Sequence, residues 1–223
     1  SENPAGVRGH VLIMQRAKVD ISYASFLDLG RTTAEPPDNL IMEDGVVTHV
    51  GTNQIGRYSL HLHHHMGPVN PTNTGYQAVV QGNSFEKCMK WCVSYHNSHW
   101  SLFHNNVLYG STGSSFMAEQ GNELENEITD NFAVLSGTPF IHWWEPKYGG
   151  VGRNVGRMNW QDFGYEGTGF WFTGNNQIFT GNVAATMAYA GWMNNGRAAG
   201  GFATNLRSAP IISVSEGCLE GSS

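Results

Sequence analysis

Histidine recurs at every second position, His61 and His63, in the run Gly56-Arg57-Tyr58-Ser59-Leu60-His61-Leu62-His63-His64-His65, and no other residues of the chain are better spaced for chemistry. On a β-strand such side chains share one face, about 6.5 to 7 Å apart. That spacing allows two imidazoles to hold one metal ion or one substrate, and imidazole is both a common metal ligand and an acid or base near neutral pH. Leu60 and Leu62 then turn toward a core, while Ser59, His61, His63 and, next in the alternation, His65 turn outward. A surface cluster of histidines bonded only to its neighbours would show the same pattern.

What must position these residues is a repeating coil. Asn-plus-apolar pairs recur at Asn106-Val107, Asn131-Phe132, Asn154-Val155 and Asn182-Val183, in steps of 25, 23 and 28 residues. Periods in this range mark solenoids, and asparagine at successive corners can stack into a hydrogen-bonded ladder while tolerating a left-handed backbone. A second register runs through His63, His96, Glu119, His142 and Thr173. His96 to Glu119 and Glu119 to His142 are both 23 residues. The longer steps on either side are explained by insertions at Gly67 to Gly75 and at Tyr148-Gly-Gly-Val-Gly-Arg153. Short strands, Gly/Asn corners and little helical periodicity predict an all-β chain, a right-handed parallel β-helix with loop insertions, forming one domain over 1–223. Leu62, Tyr95, Ala118, Ile141 and Phe172 are expected inside it.

Composition agrees with that fold and narrows the function. Charged residues are only 13%, with 28 glycines and 12% aromatics, which favours short strands and tight turns over long charged helices. A net charge of −6 without any basic run argues against nucleic acid. No stretch of 18 apolar residues predicts a membrane span. The opening Ser1-Glu2-Asn3-Pro4-Ala5-Gly6 does not read as a signal peptide, so the chain reads as a segment of a longer protein. Three cysteines, Cys88, Cys92 and Cys218, leave at least one outside any internal pair. Cys88 and Cys92 lack the second close pair that a zinc knuckle would need.

The chain resembles the parallel β-helix region shared by the hyaluronan-depolymerising cell-migration-inducing protein, cell-surface hyaluronidase, fibrocystin and related bacterial proteins. Its Gly56-Arg57-Tyr58-Ser59-Leu60-His61-Leu62-His63 is similar to the family's Gly-Arg-(His/Tyr)-Pro-Ile-His-Phe-His, with Ser59 in place of proline. Tyr95-His96-Asn97-Ser98-His99 looks like Ile-His-Gly-Thr-His. Asn106-Val107-Leu108-Tyr109, the run Gly113 to Gly121 and the following Glu123 match later family segments, except that Ser114 replaces a histidine and Gln120 an aspartate. The likeness covers roughly residues 8 to 135. It implies an extracellular or cell-surface protein acting on a hyaluronan-like glycan. Fibrocystin equally implies a non-catalytic glycan-binding or assembly module, with open solenoid ends able to form homo-oligomers or fibres.

On the stacked coils His61, His63, His96, Glu119 and His142 are expected to converge on one divalent ion, zinc or similar, because neighbouring rows lie about 5 Å apart and imidazole and carboxylate both ligate such metals. An inert polar ladder of the same residues is the alternative. His96 and Glu119 are the candidates for acid–base work, and Arg57 for balancing a uronate carboxylate. Lys87 and Lys90 extend that positive patch, and Trp144 and Trp171 are expected to form an exposed platform for sugar faces. Asp162 with Glu166, or Glu145 near His142, could instead form a hydrolytic carboxylate pair. Hydrolysis and elimination both remain open on these residues.

Overall fold

The computed structural model describes residues 8–33, 37–67, 75–137, 164, 167–174 and 176–194. In chain order the first coil is β1 (Val11–Gln15), β2 (Val19–Ser22) and β3 (Ser25–Leu27), followed by a hairpin of β4 (Ile41–Glu43) and β5 (Val46–His49). The second coil is β6 (Leu60–His65), β7 (Ala78–Gln81) and β8 (Ser84–Glu86); the third is β9 (Val93–His96), β10 (Ser101–His104) and β11 (Val107–Tyr109). The fourth is β12 (Phe116–Ala118), β13 (Asn126–Thr129) and β14 (Phe132–Ser136), the fifth β15 (Thr168–Phe172), β16 (Gln177–Thr180) and β17 (Val183–Met187), and β18 (Ala190–Asn194) opens a sixth. Equivalent strands pair in parallel into three sheets, of order β1-β6-β9-β12-β15-β18, β2-β7-β10-β13-β16 and β3-β8-β11-β14-β17. This is a parallel β-helix. No helix occurs among the described residues, so none is long and apolar enough to cross a membrane.

Every coil turns between its second and third strands on one left-handed residue. Tyr23, Gly82, Asn105, Asp130 and Gly181 all have φ between 52° and 67°, a conformation that glycine, asparagine and aspartate tolerate best. The residue after each corner carries the ladder. Asn83, Asn106, Asn131 and Asn182 are linked in series: each Asn accepts, at its Oδ1, the backbone N–H and the side-chain amide of the one before, at 2.8–3.0 Å. Asn83, which has no apolar neighbour after it, joins the ladder. Asn154 lies outside the described residues, and the ladder passes directly from Asn131 to Asn182. Asn131→Ala would orphan the buried Asn106 N–H and the Phe103 carbonyl that Asn131 Nδ2 serves. We expect it to cost about 3 kcal/mol, since each unsatisfied buried group costs roughly 1–3; urea denaturation would measure this.

Inside the coil, apolar side chains stack in register. Leu60, Val93, Phe116 and Phe170 form one row, and Leu62, Tyr95, Ala118 and Phe172 the next. All but the last are fully buried. Phe26 stacks on Phe85 at 4.5 Å, and Tyr95, Phe103 and Phe116 pack as tilted or edge-on rings. The inward expectations for Leu62, Tyr95, Ala118 and Phe172 hold. Ile141 and His142, with the expected strand at Phe140 to His142, lie outside the described residues; in the first sheet no strand intervenes between β12 and β15, which pair directly with Phe116 opposite Phe170. The register position beyond Glu119 therefore goes to Thr173, 54 residues on instead of 23, and its Oγ1 donates to the Glu119 carbonyl at 3.2 Å. A regular period cannot distinguish a coil from an insertion of similar length.

Candidate functional site

The outward face of the first sheet carries the site because strand alternation and parallel register act together. His63 is the direct register partner of His96, and β12 continues past Ala118 so that the Glu119 N–H donates to the Tyr95 carbonyl at 2.9 Å. His63, His96 and Glu119 thus stand in one column, with His61 one step back on β6. Ring centroids are 4.9 Å apart for His61 and His63 and 4.7 Å for His63 and His96. The column floors a cleft of about 390 Å³ whose walls include Leu12, Met14, Ile55, Arg57 and Tyr58.

Each imidazole is held differently. His61 Nδ1–H donates to the Gly56 carbonyl at 2.8 Å, and because a carbonyl only accepts, this leaves Nε2 as a bare lone pair. Gly56 makes the contact from φ 82°. His61 Nε2 and His63 Nδ1 are both buried with no hydrogen-bond partner. His96 Nδ1 instead pairs with Glu119 Oε2 at 2.9 Å, while the Gln120 amide faces its Nε2 at 3.1 Å. The donor atoms of His61, His63 and His96 all lie within 4.8 Å of one another, an imidazole set suited to zinc or copper.

Electrostatics divides these groups. Burial, reinforced by the neighbouring histidines, holds His61 and His63 down to about 4. Burial also pushes His96 down, but the hydrogen bond and charge of Glu119, with Glu123 behind it, outweigh that and leave His96 raised. Glu119 is pushed up by burial, yet His96, His61 and Lys90 together bring it below its ordinary value. The pairing thus favours the charged form of both His96 and Glu119, beside two imidazoles that burial favours neutral.

These shifts set the pH dependence of folding. His61, His63 and, by burial, His99 (also about 4) bind protons less readily folded than unfolded, so their share of stability is lost as pH falls from about 6.5 toward 4. Glu119, depressed, contributes above the ordinary carboxylate range and is lost at lower pH still. His96, raised, contributes below 6.5 and is lost as pH rises through its folded value. Six lowered histidines, with His10, His64 and His65 added to His61, His63 and His99, outnumber the raised His96 and the raised carboxyls of Glu123 and Glu125, so stability is expected to fall between pH 7 and pH 5. Denaturation midpoints across that range would check it.

Arg57 lines the cleft as expected; it reaches the Arg8 carbonyl through Nη2, and its Nε is buried without a partner. Lys87 is elsewhere: it is exposed just beyond β8 and lines no part of the cleft, its carbonyl accepting Arg8 Nη1 at 2.8 Å. Lys90 is not a surface cation either, being buried with Nζ 4.8 Å from the Trp91 ring centre. Trp171 is not an exposed platform. It is opposite Met117 in register and only 3% exposed, in a second apolar cluster with Tyr58 and Trp91 that covers the outer face of the sheet. Trp144, His142, Glu145, Asp162 and Glu166 lie outside the described residues.

Other residues escaped strand logic. His65 is fully buried, with Nε2–H donating to the Ala17 carbonyl at 2.7 Å, because the register slips between Met14 and Gln15 and His64 takes φ 51°. That bulge swings His64 onto the site, stacked 4.2 Å from His63 and 5.2 Å from His96. Glu123 is fully buried and accepts the N–H groups of Asn97, Gln120 and Gly121 at 2.7–2.9 Å. Cys88 and Cys92 form a disulfide at the corner leading into β9, which removes them as zinc ligands.

Three comparisons with known proteins bear on this arrangement. Mouse (Mus musculus) Fibrocystin-L is 29% identical over 90 residues, which is 40% of this chain but 2% of that protein. The chain thus spans a small fraction of the relative it matches. No solved structure matches. The family model described as CEMIP beta-helix matches residues 38–209, a span that holds the whole histidine column and extends well past the motifs that end near residue 135. With most of its length inside that match and its strands wound as the match requires, the chain belongs to the CEMIP beta-helix family.

Proposed function

We propose that the cleft is a metal-assisted centre for depolymerising an extracellular, hyaluronan-like polysaccharide. The observation that carries the reading is the pair of buried ring nitrogens, His61 Nε2 and His63 Nδ1, of two residues lining the same cleft, both without hydrogen-bond partners. Buried polar atoms are almost always satisfied, and two unsatisfied imidazole nitrogens beside a third fit a bound transition metal. When bound, such an ion would polarise a water or sugar oxygen. The chain's own residues do the rest. His96, kept charged by Glu119, can deliver a proton to a leaving oxygen or, once deprotonated, take one up. Arg57 offers its guanidinium to a uronate carboxylate, and Leu12 and Ile55, which line the cleft, present apolar area to the C–H faces of sugar rings. The Cys88–Cys92 disulfide supports an oxidising, extracellular setting.

The test combines metal analysis with product sizing on hyaluronan and on a neutral polysaccharide. Near-stoichiometric metal, chain shortening abolished by chelator and restored by metal, and loss of both in His63→Ala are expected. Metal-free protein that binds glycan without cutting it, equally well before and after His63→Ala, would instead identify a non-catalytic binding module.

A further inference from the structure

We infer that the ion held in this cleft is copper, and that Met14 supplies a thioether ligand through which the site also binds the reduced, monovalent ion. The inference rests on the metal reading above and goes beyond it to the choice of metal.

Met14 is the direct register partner of His63 on the neighbouring first strand. It lines the same cleft as His61, His63 and His96, and its side chain is 44% exposed rather than packed into the core. The column along the outer face therefore reads Met14, His63, His96, Glu119, with sulfur at one end and carboxylate at the other. The carboxylate end is engaged: Glu119 Oε2 meets His96 at 2.9 Å and Ser94 Oγ at 3.4 Å. His96 is tied to Glu119 and Gln120 on its two nitrogens. The donors left uncommitted are His61 Nε2, His63 Nδ1 and the Met14 sulfur.

Two imidazoles and a thioether are a poor set for calcium or magnesium, which demand six or more oxygens. Imidazoles accept zinc or copper alike, but a thioether selects Cu(I). Charge points the same way. Arg57 lines the cleft with its guanidinium partly desolvated, and a monovalent ion meets half the repulsion that a divalent one would.

Tighter binding of Cu(II) than Zn(II) would prove nothing, since nearly all nitrogen sites show it. The deciding experiment is competition for Cu(I) against a chromophoric chelator under anaerobic, reducing conditions, run beside Zn(II) titration on the whole chain. One Cu(I) per chain is expected. Met14→Leu, a volume-conserving change on a half-exposed side chain, is expected to weaken Cu(I) at least about tenfold while leaving Zn(II) within about twofold. X-ray absorption of the Cu(I) protein should show a sulfur scatterer that Met14→Leu removes. Undiminished Cu(I) affinity in Met14→Leu, equal loss of both metals, or no Cu(I) binding by the parent chain would each overturn the inference. Zinc bound at His61 and His63 and supporting activity would leave the proposed function standing while this inference fell. Absence of any metal would remove both.

Discussion

Glu119→Gln is expected to discharge His96 and to lower depolymerising activity by about a hundredfold or more, the usual contribution of positioned acid–base catalysis. The amide keeps the size of the carboxyl and can still accept a hydrogen bond, so the fold should survive. What it cannot do is offset the burial of an imidazolium. With Glu119 ionised, its hydrogen bond and charge raise His96 in spite of burial. Without that charge burial dominates, as it does at His61 and His63, which fall to about 4. Titration of the His96 ring by NMR should therefore move from above its ordinary value to below it, independently of any assay of activity. An unmoved titration would mean that Glu119 does not hold the proton on His96, and the ion pair would lose its place in the mechanism.

Glu123→Ala is expected to be the most destabilising single change near the site, by about 4 kcal/mol. Its carboxylate is fully buried and satisfies three backbone N–H groups, those of Asn97, Gln120 and Gly121. Removing it orphans all three at roughly 1–3 kcal/mol each, less whatever local water recovers. Those amides belong to the one residue after His96 and the two after Glu119 on adjacent coils, so Glu123 also sets how the two strand ends lie against each other. A purely structural role would lower the denaturation midpoint and nothing else. As a positioning residue, Glu123 should in addition change the His96 titration in the milder variant Glu123→Gln, which keeps one accepting oxygen. If Glu123→Gln leaves that titration untouched, its role is confined to stability.

Much of the coil was legible because strand alternation and corner chemistry are local. The period of 23 to 25 residues, the inward placement of Leu62, Tyr95, Ala118 and Phe172, and the meeting of His61, His63, His96 and Glu119 all follow from residues that repeat in step along the chain. Parallel register then turns sequence spacing into spatial neighbours about 4.8 Å apart. The period fails for one reason, which is that spacing says nothing of what lies between two paired strands. The expected coil through His142 and the expected ladder rung at Asn154 both fall between β14 and β15, outside the described residues, while β12 pairs β15 and β14 pairs β17 directly.

The sequence by itself determined that the chain winds, where its corners fall and which face bears histidine, since these depend on side-chain alternation and on backbone conformations that asparagine and glycine favour locally. Only the tertiary structure decided that His64 rather than His65 joins the site, that Trp171 and Lys90 are buried while Lys87 stands away from the cleft, and that Met14 shares it. A one-residue bulge reverses the facing of every side chain beyond it, and burial on an outer face depends on what another part of the chain lays across it. Neither is encoded in the residue that is turned or covered.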